Sequence, residues 1–290
     1  MIDRPPTSLH GYRVLKHLGD GAASRLFVVS DPGTRDLFAL KHVRASRPPE
    51  RRFLEQAERE HAVGSQVRDR RVRGSRRILR YREMFRTTEL ALVLDFVDGE
   101  PLDVARRDSL IADLGVFADV AQGLAHLHAL GWVHADLKPG NILRTGSGQG
   151  TVIDLGQACR IGERKARIQG TPGFLSPEQL SRAPLDTRTD AFLLGATIYR
   201  RMTGLYATTR LLDGESRPPS LRRLVASVPS RLADLVEACL QPNPLRRPSD
   251  LRIVASELRQ VRSAAASRIA ARAEPVVSQP VCAADEGRHG

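Results

Sequence analysis

The chain has 290 residues, of which 41% are hydrophobic, so it is long enough for one large domain or two lobes with a true core. Its formal net charge of +12 would suit a polyanion partner, but the basic residues run along the whole chain, so we favour a general surface bias over specific nucleic-acid binding. The sequence contains no run of eighteen apolar residues, no signal-like N terminus and no pairing or metal spacing among Cys159, Cys239 and Cys282, so we expect a cytoplasmic protein without a transmembrane segment or a disulfide framework.

The N-terminal part is patterned mainly as strands. Short apolar alternations separated by Gly, Asp and Pro predict strands within GYRVLKHLGDG (11–21), SRLFVVSD (24–31), DLFALKHV (36–43), ILRYREMFRT (78–87) and LALVLDFVDGE (90–100). One helix is predicted near 50–67, where apolar residues recur at helical intervals. The arginine-rich stretch 68–77 has no apolar period and no aromatic residues, and we expect a solvated loop there, with a docking patch as the less favoured alternative.

Helices dominate the C-terminal part. Segments 111–131 and 231–240 are amphipathic, whereas 190–204 is apolar nearly all round and predicts a buried helix. Strands followed by helices indicate an α+β fold with two lobes. We expect the lobes to span 11–97 and 98–258, followed by a tail over 259–290 that begins as a fraying helix and becomes disordered.

Several motifs follow one another in a fixed order. They are LGDGAASRLFVV (18–29), FALK (38–41), HADLKPGN (134–141), VIDLG (152–156) and GTPGFLSPEQ (170–179). Any one of them alone would be weak evidence, since a lone GxG is most often a plain turn. As an ordered set covering residues 11–258, they make the chain resemble a eukaryotic-type (Hanks-type) protein serine/threonine kinase of the kind also found in bacteria. The resemblance implies a protein-kinase-like fold with a small β-rich lobe carrying one main helix and a larger α-helical lobe.

The resemblance also implies ATP and Mg²⁺ as cofactors. Glycines let a backbone approach phosphates closely, and Ser24 stands where the family has its third glycine. Lys41 would contact the phosphates and needs an orienting carboxylate; of Glu55, Glu58 and Glu60, the last has apolar or small residues at the spacing that helix packing requires. The cofactor-binding residues implied are Gly19, Gly21, Ser24, Leu26, Ala39, Lys41, Glu60, Asp95, Val97 and Leu143.

The catalytic residues implied by the resemblance lie in the later motifs. Asp136 would accept or orient the proton of the substrate hydroxyl, and Lys138 would neutralise charge on the transferred group. Asn141 and Asp154 would hold the metal, because amide and carboxylate oxygens suit a hard cation. Thr171 would contact both Asp136 and Lys138, which is a feature of serine/threonine kinases.

The same resemblance points to protein substrates. Glu178 would pair with Arg247 inside the larger lobe and support a platform segment (170–179) for a peptide. Asp190 would brace the backbone of the catalytic loop (134–141). Small-molecule phosphotransferases share the HxDxxxxN pattern but lack this segment. We therefore expect serine or threonine residues of proteins as phosphate acceptors, with the oligomeric state left open.

Ala135 stands where many relatives carry an arginine that pairs with a phosphorylated activation loop. The segment 157–169, QACRIGERKARIQ, contains no serine, threonine or tyrosine. Both partners of that switch are missing, so we predict an enzyme that loop phosphorylation does not control. Cys159 beside Arg160 leaves two interpretations open, an inert loop cysteine, which we favour, and a redox switch.

A pseudokinase scaffold is the main alternative. It predicts loss of Lys41, Asp136, Asn141 or Asp154, and all four are present. The departures from the family pattern are Ser24, Ala135 and Leu155, none of which is a metal ligand or a base. We therefore favour an active enzyme.

Overall fold

The computed structural model describes residues 7–45, 47–83, 86–208 and 218–273. Its N-terminal part is an antiparallel six-stranded sheet in the order β1-β2-β3-β4-β6-β5. The strands are β1 (Ser8–Leu9), β2 (Tyr12–Asp20), β3 (Ser24–Ser30), β4 (Leu37–Arg44), β5 (Ser75–Glu83) and β6 (Arg86–Asp95). Helix α1 (Arg51–Gly64) follows β4 and packs on one face of this sheet.

Strand alternation divides the apolar residues between the two faces of the sheet, since successive side chains point to opposite sides. The inner face packs against Leu54 and Ala57 of α1 and is built from Ala39, Val43, Leu90, Leu92 and Leu94. The outer face carries a second cluster of Tyr12, Phe27, Val29, Leu40, Ala91 and Val93. Lys41 therefore points to the inner face, and its neighbour His42 points to the outer one.

The larger part is mostly helical. Its helices are α2 (Leu110–Ala129), α3 (Pro177–Leu180), α4 (Thr187–Thr203), α5 (Leu221–Leu224), α6 (Ser230–Cys239) and α7 (Leu251–Ala273). Short strands β7 (Gly99–Pro101), β9 (Ile142–Thr145) and β10 (Gly150–Val152) form a small sheet, and β8 (Trp132–Val133) pairs with β11 (Cys159–Arg160). The core of this lobe includes Phe117 from α2 and both Phe192 and Tyr199 from α4.

The prediction of a two-lobed α+β fold is confirmed, and α4 is the buried helix that its apolar pattern predicted. By length and composition α2 is apolar enough to cross a membrane, but much of its surface is buried in the core of the larger lobe. Helix α7 continues to Ala273, and the predicted disorder after it lies outside the described residues.

The prediction of a solvated loop over 68–77 is wrong in its second half. Residues 72–75 are buried, and Ser75 begins β5. Arg73 is only 8% exposed because its guanidinium donates to the carboxylate of Glu60 on α1. A charge can lie inside a protein when it is paired and hydrogen-bonded, which a residue-by-residue polarity pattern does not reveal.

Candidate active site

A cleft of about 730 Å³ lies where the sheet meets the β7–β9 region. Its walls are mainly apolar, as pockets for flat organic ligands usually are. Four of the residues predicted to bind the cofactor line it, namely Leu26, Ala39, Val97 and Leu143. Val28 and Ile153 also line the cleft and are not among the predicted residues. Val28 had a usable signal, because it lies two residues after Leu26 on the same strand face.

The loop between β2 and β3, which contains Gly21, forms a tight turn. Gly21 N–H donates to the carbonyl of Ser24 at 2.6 Å, and a Cβ on Gly21 would lie 2.7 Å from the Ser24 hydroxyl oxygen. A side chain at position 21 would therefore require the Ser24 hydroxyl to turn away. Gly21 and Ser24 line a separate depression at the loop end, whereas a Cβ on Gly19 would meet open space. Their predicted contact with phosphates stays a prediction.

Asp95 ends β6 beside the cleft. Its carboxylate accepts from Arg76 Nε at 2.5 Å, and its N–H donates to the Gly74 carbonyl at 3.0 Å. Asp95 lines a separate depression with Gly74 and Arg76 and is not among the residues that line the cleft, so its predicted contact with the cofactor stays a prediction. Val97, two residues later, lines the cleft directly.

Lys41 lies in a network of four charges. Its Nζ donates to Glu60 Oε2 at 2.6 Å and to Asp154 Oδ1 at 3.2 Å, while Arg73 donates to the other Glu60 oxygen at 3.2 Å. Burial alone would lower the pKa of Lys41, but Asp154 and Glu60 outweigh it and raise the pKa, so the ammonium stays charged. Lys41 likewise holds the pKa of Asp154 well below its usual range, against the effect of burial.

The structure also distinguishes the three candidate glutamates. Glu60 is 2% exposed and shares a helical face with the buried Ala57 and Val63. Glu55 is exposed, and Glu58 is exposed beside Arg80 on β5 at 3.4 Å. Glu60 is therefore the carboxylate that reaches Lys41, as helical spacing indicated.

Asp190 anchors the catalytic loop from inside the larger lobe. It is fully buried at the start of α4, and its carboxylate accepts from the backbone N–H groups of His134 at 2.8 Å and Ala135 at 3.0 Å. His128 Nε2 lies 2.8 Å from the same carboxylate. This bracing, which the sequence predicted, holds Ala135 at φ 61°, a conformation that non-glycine residues rarely adopt.

Asp136 lies at the centre of a hydrogen-bonded set. Its Oδ1 accepts from the Thr171 hydroxyl at 2.8 Å, and Lys138 Nζ donates to that hydroxyl at 2.7 Å. Asn141 donates its side-chain NH₂ to the Asp136 carbonyl at 2.8 Å, which turns its Oδ1 into the group that can bind a cation. Burial raises the pKa of Asp136 above its ordinary value, although Lys138 and Thr171 oppose the rise.

Glu178 and Arg247 form the buried ion pair that the sequence predicted. Two parallel hydrogen bonds join them at 2.7 and 3.0 Å, and the two residues are 6% and 4% exposed. Gln179, next to Glu178, donates to the Ala135 carbonyl at 2.8 Å. The platform segment is thereby tied both to the core of the larger lobe and to the catalytic loop.

The segment after Asp154 is held by an arginine of α1 and a glutamate of its own. Arg59 on α1 donates to the Ala158 carbonyl at 3.1 Å and to Glu163 at 3.4 Å. Glu163 in turn accepts from the Arg160 backbone N–H at 3.1 Å, and its own carbonyl accepts from Leu185 N–H at 3.0 Å. Glu163 thus links this segment to α1 and to the backbone near Leu185.

Cys159 is unsuited to redox chemistry. It is fully buried, and burial raises the pKa of its thiol to about 12. The Arg160 guanidinium, which could have lowered that pKa, instead stacks over the Trp132 ring at 3.8 Å. Burial and the suppressed formation of thiolate favour the inert-cysteine interpretation of Cys159 over the redox switch.

The chain matches the protein kinase domain family over residues 12–260. It is 31% identical over 268 residues to the inactive serine/threonine-protein kinase PLK5 of Mus musculus, covering 85% of this chain and 42% of that protein. It is 26% identical over 281 residues to the serine/threonine-protein kinase pkn3 of Myxococcus xanthus, covering 88% and 50% respectively. With the serine/threonine-protein kinase PkaA of Streptomyces coelicolor it shares 32% identity over 193 residues, which is 59% of this chain and 34% of that protein. The chain spans half or less of the length of each of these relatives.

Proposed function

The chain belongs to the protein kinase family, to the eukaryotic serine/threonine type that also occurs in bacteria, and we propose that it transfers the γ-phosphoryl group of ATP to serine or threonine hydroxyls of proteins. The observation that carries the proposal is the hydrogen-bonded set of Asp136, Thr171 and Lys138. A threonine from the platform segment bridges the candidate base and the candidate cation. The same segment that would seat a peptide therefore also completes the catalytic residues.

The residues present fit Mg²⁺ and ATP. The apolar cleft offers walls for a flat base, with Ala39 on one side and Leu143 on the other lobe. Asn141 Oδ1 and the Asp154 carboxylate, which is 41% exposed, are the hard oxygen ligands that Mg²⁺ prefers. When bound, Mg-ATP supplies the phosphoryl group and the cationic charge that neutralises it. Lys41, fixed by Glu60, is the protein cation positioned to bind phosphate oxygens.

Asp136 is the group we assign to orient the substrate hydroxyl and accept its proton. A pKa raised by burial brings a carboxylate closer to the basicity that proton acceptance requires. Lys138, whose Nζ is 3.7 Å from Asp136 Oδ2, keeps a positive charge beside the reacting oxygen. Thr171 fixes both side chains, so little reorganisation is needed when the substrate arrives.

We propose further that phosphorylation of segment 157–169 does not control this enzyme. Ala135 is 1% exposed in an apolar cluster with Val133, Cys159 and Leu185, so the side chain at position 135 offers no cation to a phosphate. The Arg59–Glu163 pair supports the segment through a carboxylate that is always present. The free, buried Cys159 and Cys239 also suit the reducing, cytoplasmic location that we propose.

The decisive experiment is phosphate transfer from labelled Mg-ATP to a generic basic protein and to the chain itself. Label on serine or threonine that disappears in Asp136→Asn, with the ATP-induced rise in melting temperature retained, would support transfer and the assigned base. Label that persists in Asp136→Asn would overturn the assignment.

A scaffold that binds nucleotide without transfer is the second candidate, favoured by the name of the inactive mouse relative. It predicts a thermal shift with Mg-ATP and no label from the unaltered protein.

Regulation is tested separately by phosphatase treatment, which should leave the rate nearly unchanged. A collapse of the rate would instead point to control through Thr171 or a site elsewhere.

A further inference from the structure

Two histidines and a glutamate converge on the outer face of the sheet, on the side opposite Lys41. His10 lies in the turn that joins β1 to β2, His42 lies on β4, and Glu89 lies on β6. One donor atom from each residue lies within 4.8 Å of the other two. Among the described residues this is the group of three His, Cys, Asp or Glu side chains with the spacing of a metal site.

One ring nitrogen of each histidine in this cluster is buried without a hydrogen bond. Nε2 of His10 and Nε2 of His42 have no hydrogen-bond partner, and the His10 side chain is only 7% exposed. Both nitrogens face Glu89 Oε1, at 3.7 Å from His10 and 2.8 Å from His42, and even the shorter contact lacks hydrogen-bond alignment. Buried polar atoms in proteins nearly always have a hydrogen-bond partner, so two buried nitrogens without one indicate a place where a ligand can bind.

The surroundings hold His10 ready to be a ligand. Tyr81 Oη lies 2.6 Å from His10 Nδ1, so a neutral ring that donates Nδ1–H to Tyr81 presents its Nε2 lone pair to the cluster. The backbone is set for this as well, since His10 at φ 53° and Gly11 at φ 87° make a tight left-handed turn.

We propose that His10, His42 and Glu89 form a binding site for a divalent transition metal of the zinc class. Two imidazoles and a carboxylate are a common zinc donor set with a fourth position for water, whereas Mg²⁺ and Ca²⁺ prefer all-oxygen ligands. Tetrahedral bonds of zinc length place neighbouring ligand atoms about 3.3 Å apart. The separations of 2.8 and 3.7 Å found here lie on either side of that spacing.

The bound metal would join three separate segments of the sheet. It would link the β1–β2 turn to β4 and β6, next to the apolar cluster on the outer face of the sheet. This face is opposite the one that carries Lys41. The site therefore stabilises the small lobe, and its existence does not depend on the proposed kinase activity. Its donor chemistry also separates it from Asn141 and Asp154, which offer oxygen ligands alone.

The test is a calorimetric titration of the full chain with ZnCl₂ after treatment with EDTA, in the absence of nucleotide and Mg²⁺. We expect one zinc site and a raised melting temperature. Both should be lost in His42→Gln and in Glu89→Gln. Tyr81→Phe, which removes only the orienting hydroxyl, should weaken the site about 10- to 100-fold. The matched control is His17→Gln, because His17 is a half-exposed histidine paired with Asp20 at 2.9 Å and should bind zinc as the unaltered protein does.

Cobalt provides a second measurement, because its visible spectrum reports on the metal ligands themselves and not on the stability of the fold. Co²⁺ in a site of low coordination number gives intense visible absorption, and this spectrum should appear with the unaltered protein and His17→Gln and be absent from Glu89→Gln. Zinc binding that survives unchanged in both His42→Gln and Glu89→Gln would overturn the proposal and place the metal elsewhere. Absence of any zinc site in the unaltered protein would overturn it equally. If His42→Gln fails to fold, Glu89→Gln and Tyr81→Phe decide the matter.

Discussion

Replacing Arg247 by methionine should strongly destabilise the larger lobe. The guanidinium makes two hydrogen bonds to Glu178 and three to the backbone carbonyls of Gln241, Arg188 and Pro242, at 2.6 to 3.0 Å. It also lies over the Phe192 ring at 4.7 Å. Methionine keeps much of the volume and the apolar contact but supplies no donor.

The size of the effect follows from burial. Glu178 and Arg247 are 6% and 4% exposed, so water cannot replace the lost partner. Removing one member of a buried ion pair costs about 3 to 5 kcal/mol, because the other charge is left without compensation. With a shift of about 2 to 4 °C per kcal/mol for a domain of this order of size, the melting temperature should fall by about 6 to 20 °C.

The assay is urea unfolding followed by tryptophan fluorescence. The chain has a single tryptophan, Trp132, which is 8% exposed inside the larger lobe and so reports on that lobe. Arg231→Met is the matched control, because Arg231 pairs with Glu257 at 2.8 Å while its side chain is 60% exposed. An exposed pair of this kind contributes about 1 kcal/mol or less, so the control should unfold close to the unaltered protein.

A double variant tests the physical cause. Adding Glu178→Leu to Arg247→Met removes the uncompensated carboxylate and should recover part of the lost stability, because an apolar pair can replace a buried ion pair. The reasoning is refuted if Arg247→Met unfolds within about 1 kcal/mol of Arg231→Met. A double variant less stable than Arg247→Met would also contradict it, because the buried charge would then not be the source of the loss.

Three further predictions concern the site and its support. Thr171→Ala should lower kcat at least about tenfold, because it removes a hydrogen bond to the Asp136 carboxylate worth roughly 1.5 kcal/mol. Thr171→Ser keeps the hydroxyl and should keep most of the rate. Equal rates of the two variants in steady-state assays would count against the assigned role. Burial alone would raise the pKa of Asp190, but hydrogen bonding led by His128 outweighs it, so the pKa is lowered. The contribution of the Asp190 carboxylate to the free energy of unfolding is complete above about pH 4 and is lost as the pH falls through the lowered pKa. Asp190→Asn should therefore flatten the acid limb of a plot of stability against pH, and an unchanged limb would contradict this. Cys159 should react with a thiol reagent at pH 8 only after urea unfolding, since its pKa is raised to about 12 when folded, and rapid labelling of the native protein would be the contrary result.

Much of the fold could be predicted because its patterns are local. The alternation in FALK predicts a strand, and helical spacing selects Glu60 over Glu58 for the inward face of α1. The uniformly apolar segment of α4 likewise predicts burial without any knowledge of its neighbours. These elements were predictable because the 3.6-residue period of helices and the two-residue period of strands follow from backbone geometry alone.

The candidate site was partly predictable for a different reason. Asp136, Lys138 and Asn141 lie within six residues of one another, so a short motif can specify their chemistry. Gln179 and Arg59, which hold the catalytic loop and the following segment, act through backbone carbonyls of distant residues. Such contacts leave no pattern in a single sequence, because any donor of suitable length could make them.

The sequence by itself determined the order of the motifs, the types of residue in the site and the two-lobed architecture, since each depends on short-range spacing. Only the tertiary structure decided which distant charges meet. Arg73 reads as part of a solvated basic stretch until α1 places Glu60 at 3.2 Å from it. His10, His42 and Glu89 likewise come from three segments, and strand pairing brings them to one face. Desolvation makes such pairings decisive, because a buried charge or imidazole nitrogen must find its partner in space and not along the chain.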